Sequence, residues 1–264
     1  MIRHLLYNCC ALTHSDEWKL NVDRLVRYPD AFNGRRLVLI KTGPGIADPS
    51  EIEPLFAPLG ECEFIQWPND PHLKEIAGFI ETLEKLQGEE GAVFYAHTKG
   101  AKYAGVPEEY MEGIRRWRDR MYYELLRDPE VIDAALAKQP AVGCFRMKGN
   151  HPPLPPGGKW HFAGTFWWLR LEELFKRDWR GIDRGSCYGI EAYPGTLFKY
   201  QESVCVYGDQ PSYDLYMGPG VFVCENCNNE FKVRMTPHVF NKRQICKKCH
   251  KRRGVFVRTE EPPP

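Results

Sequence analysis

Apolar residues in the first two-thirds of the chain follow two rhythms. Short continuous apolar runs at 2–9, 36–41, 62–67 and 91–96 read as buried strands, the clearest being Leu37-Val38-Leu39-Ile40. Between them, apolar positions fall three and four apart. Trp18, Val22, Leu25 and Val26 share one helical face behind Ser15, a suitable cap. Asp70-Pro71 reads as a helix start, and Leu73, Ile76, Ile80, Leu83 and Leu86 continue that helix until Gly88. Tyr110, Ile114, Trp117, Met121 and Leu125 predict a long helix over 107–127. Strands at 141–146 and 165–169 follow. This alternation predicts an α/β sheet flanked by helices. No internal repeat interrupts it, and 150–159 is a Pro/Gly-rich loop.

Charge divides the chain of 264 residues unevenly. The net charge is only +1, yet from Pro219 onward ten Lys/Arg face four Glu. A basic C-terminal module therefore sits on a mildly acidic body. No apolar run reaches the ~18–20 residues that span a bilayer. The first residues lack a signal-peptide pattern, so a cytoplasmic location is the expectation. Of ten cysteines, six are scattered through apolar stretches, as suits a reducing compartment.

The other four form two pairs, Cys224-x2-Cys227 and Cys246-x2-Cys249, separated by 18 residues. Two residues between cysteines let both thiolates reach one metal, and two such knuckles supply the four sulfur ligands of structural zinc. Strand-like segments around Val221–Val223 and Phe231–Val233 fit a zinc ribbon. Four sulfurs close the site to catalysis. Lys247, Lys248, Arg252 and Arg253 crowd the second knuckle. Such a cluster is either a footprint for nucleic-acid phosphates or a solvated basic face.

Three segments carry candidate chemistry. Tyr95-Ala96-His97-Thr98-Lys99-Gly100 follows a strand, where open α/β sheets bind ligands. Lys99 offers charge for a diphosphate, and Gly100 permits close backbone approach. Trp160-His161-Phe162-Ala163-Gly164-Thr165-Phe166-Trp167-Trp168 is either core packing or an aromatic platform for sugars and bases. Tyr188-Gly189-Ile190-Glu191-Ala192-Tyr193-Pro194-Gly195 places one carboxylate in a turn-rich setting.

In this order the segments resemble small glycosyltransferases of the GT-A fold, found in bacterial surface-polysaccharide clusters and in viral genomes. The resemblance runs through the HTKG loop, Trp117-Arg118, the H-F-x-G-x-F-W-W segment and the Y-G-x-E-x-x-P element. It covers roughly residues 1–200. It implies a GT-A-like, Rossmann-like mixed sheet over 1–218; the cysteine spacing, outside the resemblance, gives the ribbon at 219–258, and the last residues, 259–264, read as a disordered tail. The resemblance also implies transfer of a sugar from a nucleotide-sugar, UDP-glucose or a related UDP-sugar, to an acceptor hydroxyl. Asn8, Asp70, His97, Thr98, Lys99 and Gly100 become donor contacts, although Asp70 serves equally as a helix cap. His161, Gly164, Thr165 and Trp167 line the sugar and acceptor side. Glu191, Lys99 and His161 become catalytic candidates, with Glu191 as general base. GT-A enzymes usually hold a divalent metal on an Asp-x-Asp. Here His97-Thr98-Lys99 stands instead, which leaves a metal at the diphosphate an open question.

The basic ribbon suggests a polyanionic acceptor, such as a hydroxymethylated pyrimidine in viral DNA. The competing acceptors are a polysaccharide or a protein, with a purely structural ribbon. From another class, a non-catalytic nucleic-acid-binding protein would use the ribbon and treat the body as scaffold. No P-loop motif occurs, and no run of acidic metal ligands beside a lysine suggests a nuclease.

Overall fold

The four apolar runs of the N-terminal half lie side by side as parallel strands. A computed structural model describes residues 1–101, 108–149, 159–185, 188–209, 220–233, 244–245, 248–249 and 252–259. The strands are β1 (Arg3–Cys9), β2 (Arg36–Thr42), β3 (Glu63–Pro68) and β4 (Ala92–His97). β1 pairs in parallel with both β2 and β4, and β2 pairs in parallel with β3. The helices of this half are α1 (Glu17–Leu25), α2 (Pro49–Ile52) and α3 (Phe79–Glu84), followed by α4 (Glu108–Leu126) and α5 (Pro129–Lys138).

Further along come β5 (Ala141–Cys144), β6 (Arg146–Lys148), β7 (Trp160–Phe162) and β8 (Trp167–Arg170). After these run α6 (Leu171–Phe175), α7 (Gly189–Leu197) and β9 (Ser203–Tyr207). The central sheet has seven strands in the order β3-β2-β1-β4-β8-β5-β9. Only β8 runs against its neighbours, antiparallel to β4 and β5. The expected mixed α/β sheet is therefore present. β6 and β7 form a separate antiparallel pair.

Both faces of the sheet are buried, which is why its strands read as continuous apolar runs. On one face Leu6, Leu37, Val93, Tyr95 and Trp167 join Phe79, Ile80 and Leu83 of α3 and Ile190 and Tyr193 of α7 in one cluster. On the other, Phe94 meets Phe32, Phe166 and Trp168, with ring centroids 5.1–6.2 Å apart. Trp168 donates its indole N–H to the Leu125 carbonyl at 3.0 Å, satisfying the one polar atom that the ring buries.

Three local expectations change. The single helix expected from Asp70 to Gly88 is broken. A short 3-10 turn, Lys74–Ile76, is followed by Gly78 at φ +75°, and α3 begins only at Phe79. Gly78 is required there, because its left-handed φ favours glycine and a Cβ would stand 2.7 Å from the Trp67 ring. The strand expected over 141–146 divides at Phe145, whose φ of +53° separates β5 from β6. The turn-rich 188–195 segment is helix α7, and it tolerates Pro194 in its interior.

By internal contacts the chain forms two units. One is Met1–Ala104 with Arg120–Gln210, and the other is Gly105–Asp119 with Pro211–Pro264. The second contains a four-stranded antiparallel sheet ordered β11-β10-β13-β12. Its strands are β10 (Gly220–Cys224), β11 (Glu230–Val233), β12 (Gln244–Ile245) and β13 (Arg252–Thr259). β10 and β11 match the strand-like segments flanking the first knuckle. Among the described residues, no helix is long and apolar enough to cross a membrane.

Candidate functional site

The chain leaves β1 toward β2 on one side, whereas β4 is followed in the sheet by β8 on the other. Loops from two adjacent parallel strands thus diverge, and such a point opens a crevice at the strands' carboxyl ends. A pocket of about 170 Å³ lies there. Asn8, Cys10 and Leu12 line it from the end of β1, and Lys41 from β2. Asn69, Pro71, Lys74 and Glu75 come from the segment after β3, and His97 through Ala101 from β4.

Two side chains fix this geometry. Thr98 Oγ1 accepts the Cys10 N–H at 3.0 Å and donates to the Cys10 carbonyl at 3.2 Å, stapling the two diverging loops. Asn21, wholly buried on α1, grips the main chain of Lys99. Its Oδ1 accepts the Lys99 N–H at 3.1 Å, and its Nδ2 donates to the Lys99 carbonyl at 2.8 Å and the Glu17 carbonyl at 2.7 Å. Gly100 then turns with φ +92°. The backbone of the HTKG segment is therefore held from α1 at Lys99 and from the end of β1 through Thr98.

The polar floor is made by His97, Glu75 and Lys41. His97 Nδ1 lies 3.2 Å from Glu75 Oε1. Its Nε2 is buried without a hydrogen-bond partner among the described residues. Asn8 Nδ2 donates to the Glu75 carbonyl at 2.8 Å, tying β1 to the same turn. Lys41 is 1% exposed and donates to the Ala77 carbonyl. Burial drives its pKa down to about 8, against the opposing influence of Cys10, Glu75, Glu81 and Asp70. Burial and the Glu75 carboxylate push the Cys10 thiol up to about 11.

The expected donor contacts Asn8, His97, Thr98, Lys99 and Gly100 are brought together in this pocket. Asp70 is not among its lining residues. The Asp70 carboxylate accepts the Leu73 and His72 N–H groups, bonds that lower its pKa and satisfy the turn. Lys41, Glu75 and Asn21 were not singled out in the sequence. The pattern offered one signal for Lys41, a charged residue closing a fully apolar strand run.

Trp167 is 1% exposed and stacks on Tyr95, centroids 4.9 Å apart, inside the core. Phe166 meets the His97 ring edge-on at 5.8 Å. His161 is completely buried in β7 and does not line the pocket. Gly164 and Thr165 turn with φ +97° and +67°. A β-branched residue in that region stores strain of about 1–3 kcal/mol. Glu191, in the first turn of α7, accepts the Gly164 N–H at 3.0 Å and so braces this turn.

The pocket's donor set does not suit a divalent cation. Such ions take several oxygen ligands with carboxylates among them. Among the described residues the one lining carboxylate, Glu75, is engaged by His97, and Lys41, Lys74 and Lys99 add positive charge. The set suits an anion instead.

In the C-terminal unit, the thiols of Cys224, Cys227 and Cys249 lie within 4.8 Å of one another. Cys224 and Cys249 sulfurs are 3.6 Å apart. Tetrahedral zinc with ~2.3 Å bonds separates its sulfurs by about 3.8 Å, so these three can hold a metal. The knuckle is shaped by the Asn228 N–H donating to the Cys224 carbonyl at 2.8 Å, with Asn228 at φ +50°. Cys246 and Lys247 lie outside the described residues. Lys248 is exposed, and Arg252 and Arg253 lie on β13.

No family model matches the sequence. No curated protein matches it either. Among solved structures, the chain is similar to a protein from Desulfovibrio desulfuricans described as a nucleotide-diphospho-sugar transferase. Identity is 12% over 79% of this chain and 81% of that one, with a TM-score of 0.37. It is also similar to 4-diphosphocytidyl-2C-methyl-D-erythritol synthase from Anaerococcus prevotii. Identity is again 12%, over 76% of this chain and 89% of that one, with a TM-score of 0.38. Both superpositions are loose, so the function is sought in the pocket itself.

The buried ammonium makes a testable contribution to stability. Below about pH 8 both folded and unfolded chains hold the Lys41 proton, and the full cost of burying the charge applies. From there to the unfolded value of ~10.4 the folded chain releases the proton first, and the cost fades. Lys41→Met is therefore expected to stabilise the protein at pH 7 by about 1–2 kcal/mol, after allowing for the lost bond to Ala77. The advantage should shrink at pH 10. Urea unfolding at both pH values checks this, and an advantage independent of pH would contradict it.

Proposed function

We propose that the protein transfers a sugar from a nucleotide-sugar, UDP-glucose or a related UDP-sugar, to an acceptor hydroxyl. The observation that carries this reading is the cation-lined pocket at the divergence of β1 and β4. Lys99 and His97 engage the donor diphosphate. As the bond from the sugar's anomeric carbon to the phosphate oxygen breaks, negative charge grows on the departing diphosphate, where a fixed ammonium lowers the barrier. The acceptor oxygen forms the new bond to that carbon. Its proton is assigned to Glu191, whose Oε1 accepts the Gly164 N–H at 3.0 Å and which lies outside the pocket's lining residues.

The acceptor is the finer part of the proposal. The +6 charge from Pro219 onward favours a polyanion. A hydroxymethylated pyrimidine in viral DNA is the first to test, and the enzyme would have to extrude such a base from the stack. Lys247, Lys248, Arg252 and Arg253 would then contact phosphates. Cys224, Cys227, Cys246 and Cys249 would hold one structural zinc ion that orders this module.

Thermal unfolding with a panel of nucleotides and nucleotide-sugars tests the donor site. UDP and UDP-sugars should raise Tm by several degrees with or without manganese, and insensitivity to every nucleotide would remove the reading. Incubation with UDP-glucose and a duplex containing hydroxymethylcytosine should then add a hexose to the nucleoside. Transfer to a glycan or protein but not DNA would move the acceptor to that class. Metal analysis of the purified protein should find about one zinc per chain, lost in Cys227→Ser. Metal-free wild type would refute the zinc assignment.

A further inference from the structure

We infer that Lys41 is the fixed cation of the β1/β4 pocket and binds a phosphate oxygen of its ligand. The inference rests on the nucleotide reading only for the identity of whatever carries the phosphate.

Lys41 is the last residue but one of the buried strand β2, and its position is set by the sheet rather than by a loop. It pairs in register with Trp67 of β3. The side chain lines the pocket yet is 1% exposed. An ammonium has three N–H donors. Among the described residues one is used, on the Ala77 carbonyl, and no carboxylate lies within ion-pair distance. The charged and titratable groups acting on it are Cys10 after β1, Asp70 after β3, Glu75 in the 3-10 turn and Glu81 on α3.

A buried ammonium without an ion pair is costly, and folded proteins seldom keep one without use. The depressed pKa of about 8 records that cost. A ligand anion would relieve it by occupying the two remaining donors and holding the proton on. Phosphate suits the site better than carboxylate. Its oxygens point in several directions, and polar residues line the pocket from β2 (Lys41), β4 (His97, whose buried Nε2 has no partner among the described residues) and the turn after it (Lys99, Gly100). The arrangement also supplies within the protein the positive charge that a divalent ion would otherwise bring to a diphosphate.

The test is calorimetric binding of inorganic pyrophosphate and of UDP at pH 7 to wild type, Lys41→Met and, as a control on an exposed lysine elsewhere, Lys199→Met. Lys41→Met should weaken pyrophosphate by about tenfold or more, the value of a charged hydrogen bond, with UDP falling in step. Lys199→Met should match wild type. Pyrophosphate binding that is absent in wild type, or unchanged in Lys41→Met, overturns the inference. Loss of UDP alone with pyrophosphate unchanged also overturns it, because Lys41 would then read the base or sugar. Lys41-dependent binding of pyrophosphate without any binding of UDP would uphold the inference and remove the nucleotide reading. A second measurement needs no variant. Acetylation of Lys41 in the wild-type protein, followed by peptide mass spectrometry, should slow severalfold when pyrophosphate saturates the site. An unchanged rate would also overturn the assignment.

Discussion

The divergence of the chain at the ends of β1 and β4 is the constraint on which the site depends. Parallel neighbours cannot be joined by a tight turn, so each strand must send its chain away from the sheet. Where two such loops part in opposite directions, backbone groups and side chains face an opening rather than each other. This opening is held at fixed width by Thr98, whose hydroxyl bonds both backbone groups of Cys10. Asn21 holds its rim by gripping both backbone groups of Lys99. Aromatic rings pack on both faces of β4, Trp167 on Tyr95 on one and Phe166 against Phe94 on the other.

The chemistry follows from what this frame places in the opening. Among the described residues, three lysines and a histidine line the opening with one engaged carboxylate, an arrangement that attracts an anion and discourages a further cation. The histidine's Nδ1 lies against Glu75, in the 3-10 turn that precedes the break at Gly78. Strain is also placed close by in sequence terms. Gly164 and Thr165 both turn with positive φ, and Glu191 braces them from α7. The third motif is thus physically joined to the second.

Much of the sheet was legible in the sequence because buried parallel strands are continuous apolar runs. Leu37 to Ile40 and Val93 to Ala96 have no polar interruption. Helix limits were less legible. Leu73, Ile76, Ile80 and Leu83 keep helical spacing because the turn and α3 pack on one core, so the pattern runs through the break at Gly78. The segment around Glu191 reads as turns from its Gly and Pro, yet burial of Ile190, Ala192 and Tyr193 sustains a helix. The HTKG loop was recognisable from polar residues and a glycine directly after a strand. Lys41 and Asn21 were not, because their roles come from long-range burial. Each looks locally like an ordinary polar residue at a strand end or on a helix.

On the proposed function, a nucleoside diphosphate sits in the opening between β1 and β4. A crystal structure of the protein with UDP tests it most directly. Diphosphate density is expected, bounded by Lys41, His97 and the Lys99-Gly100 turn. UDP bound elsewhere on the protein, with this opening holding only water, would contradict it.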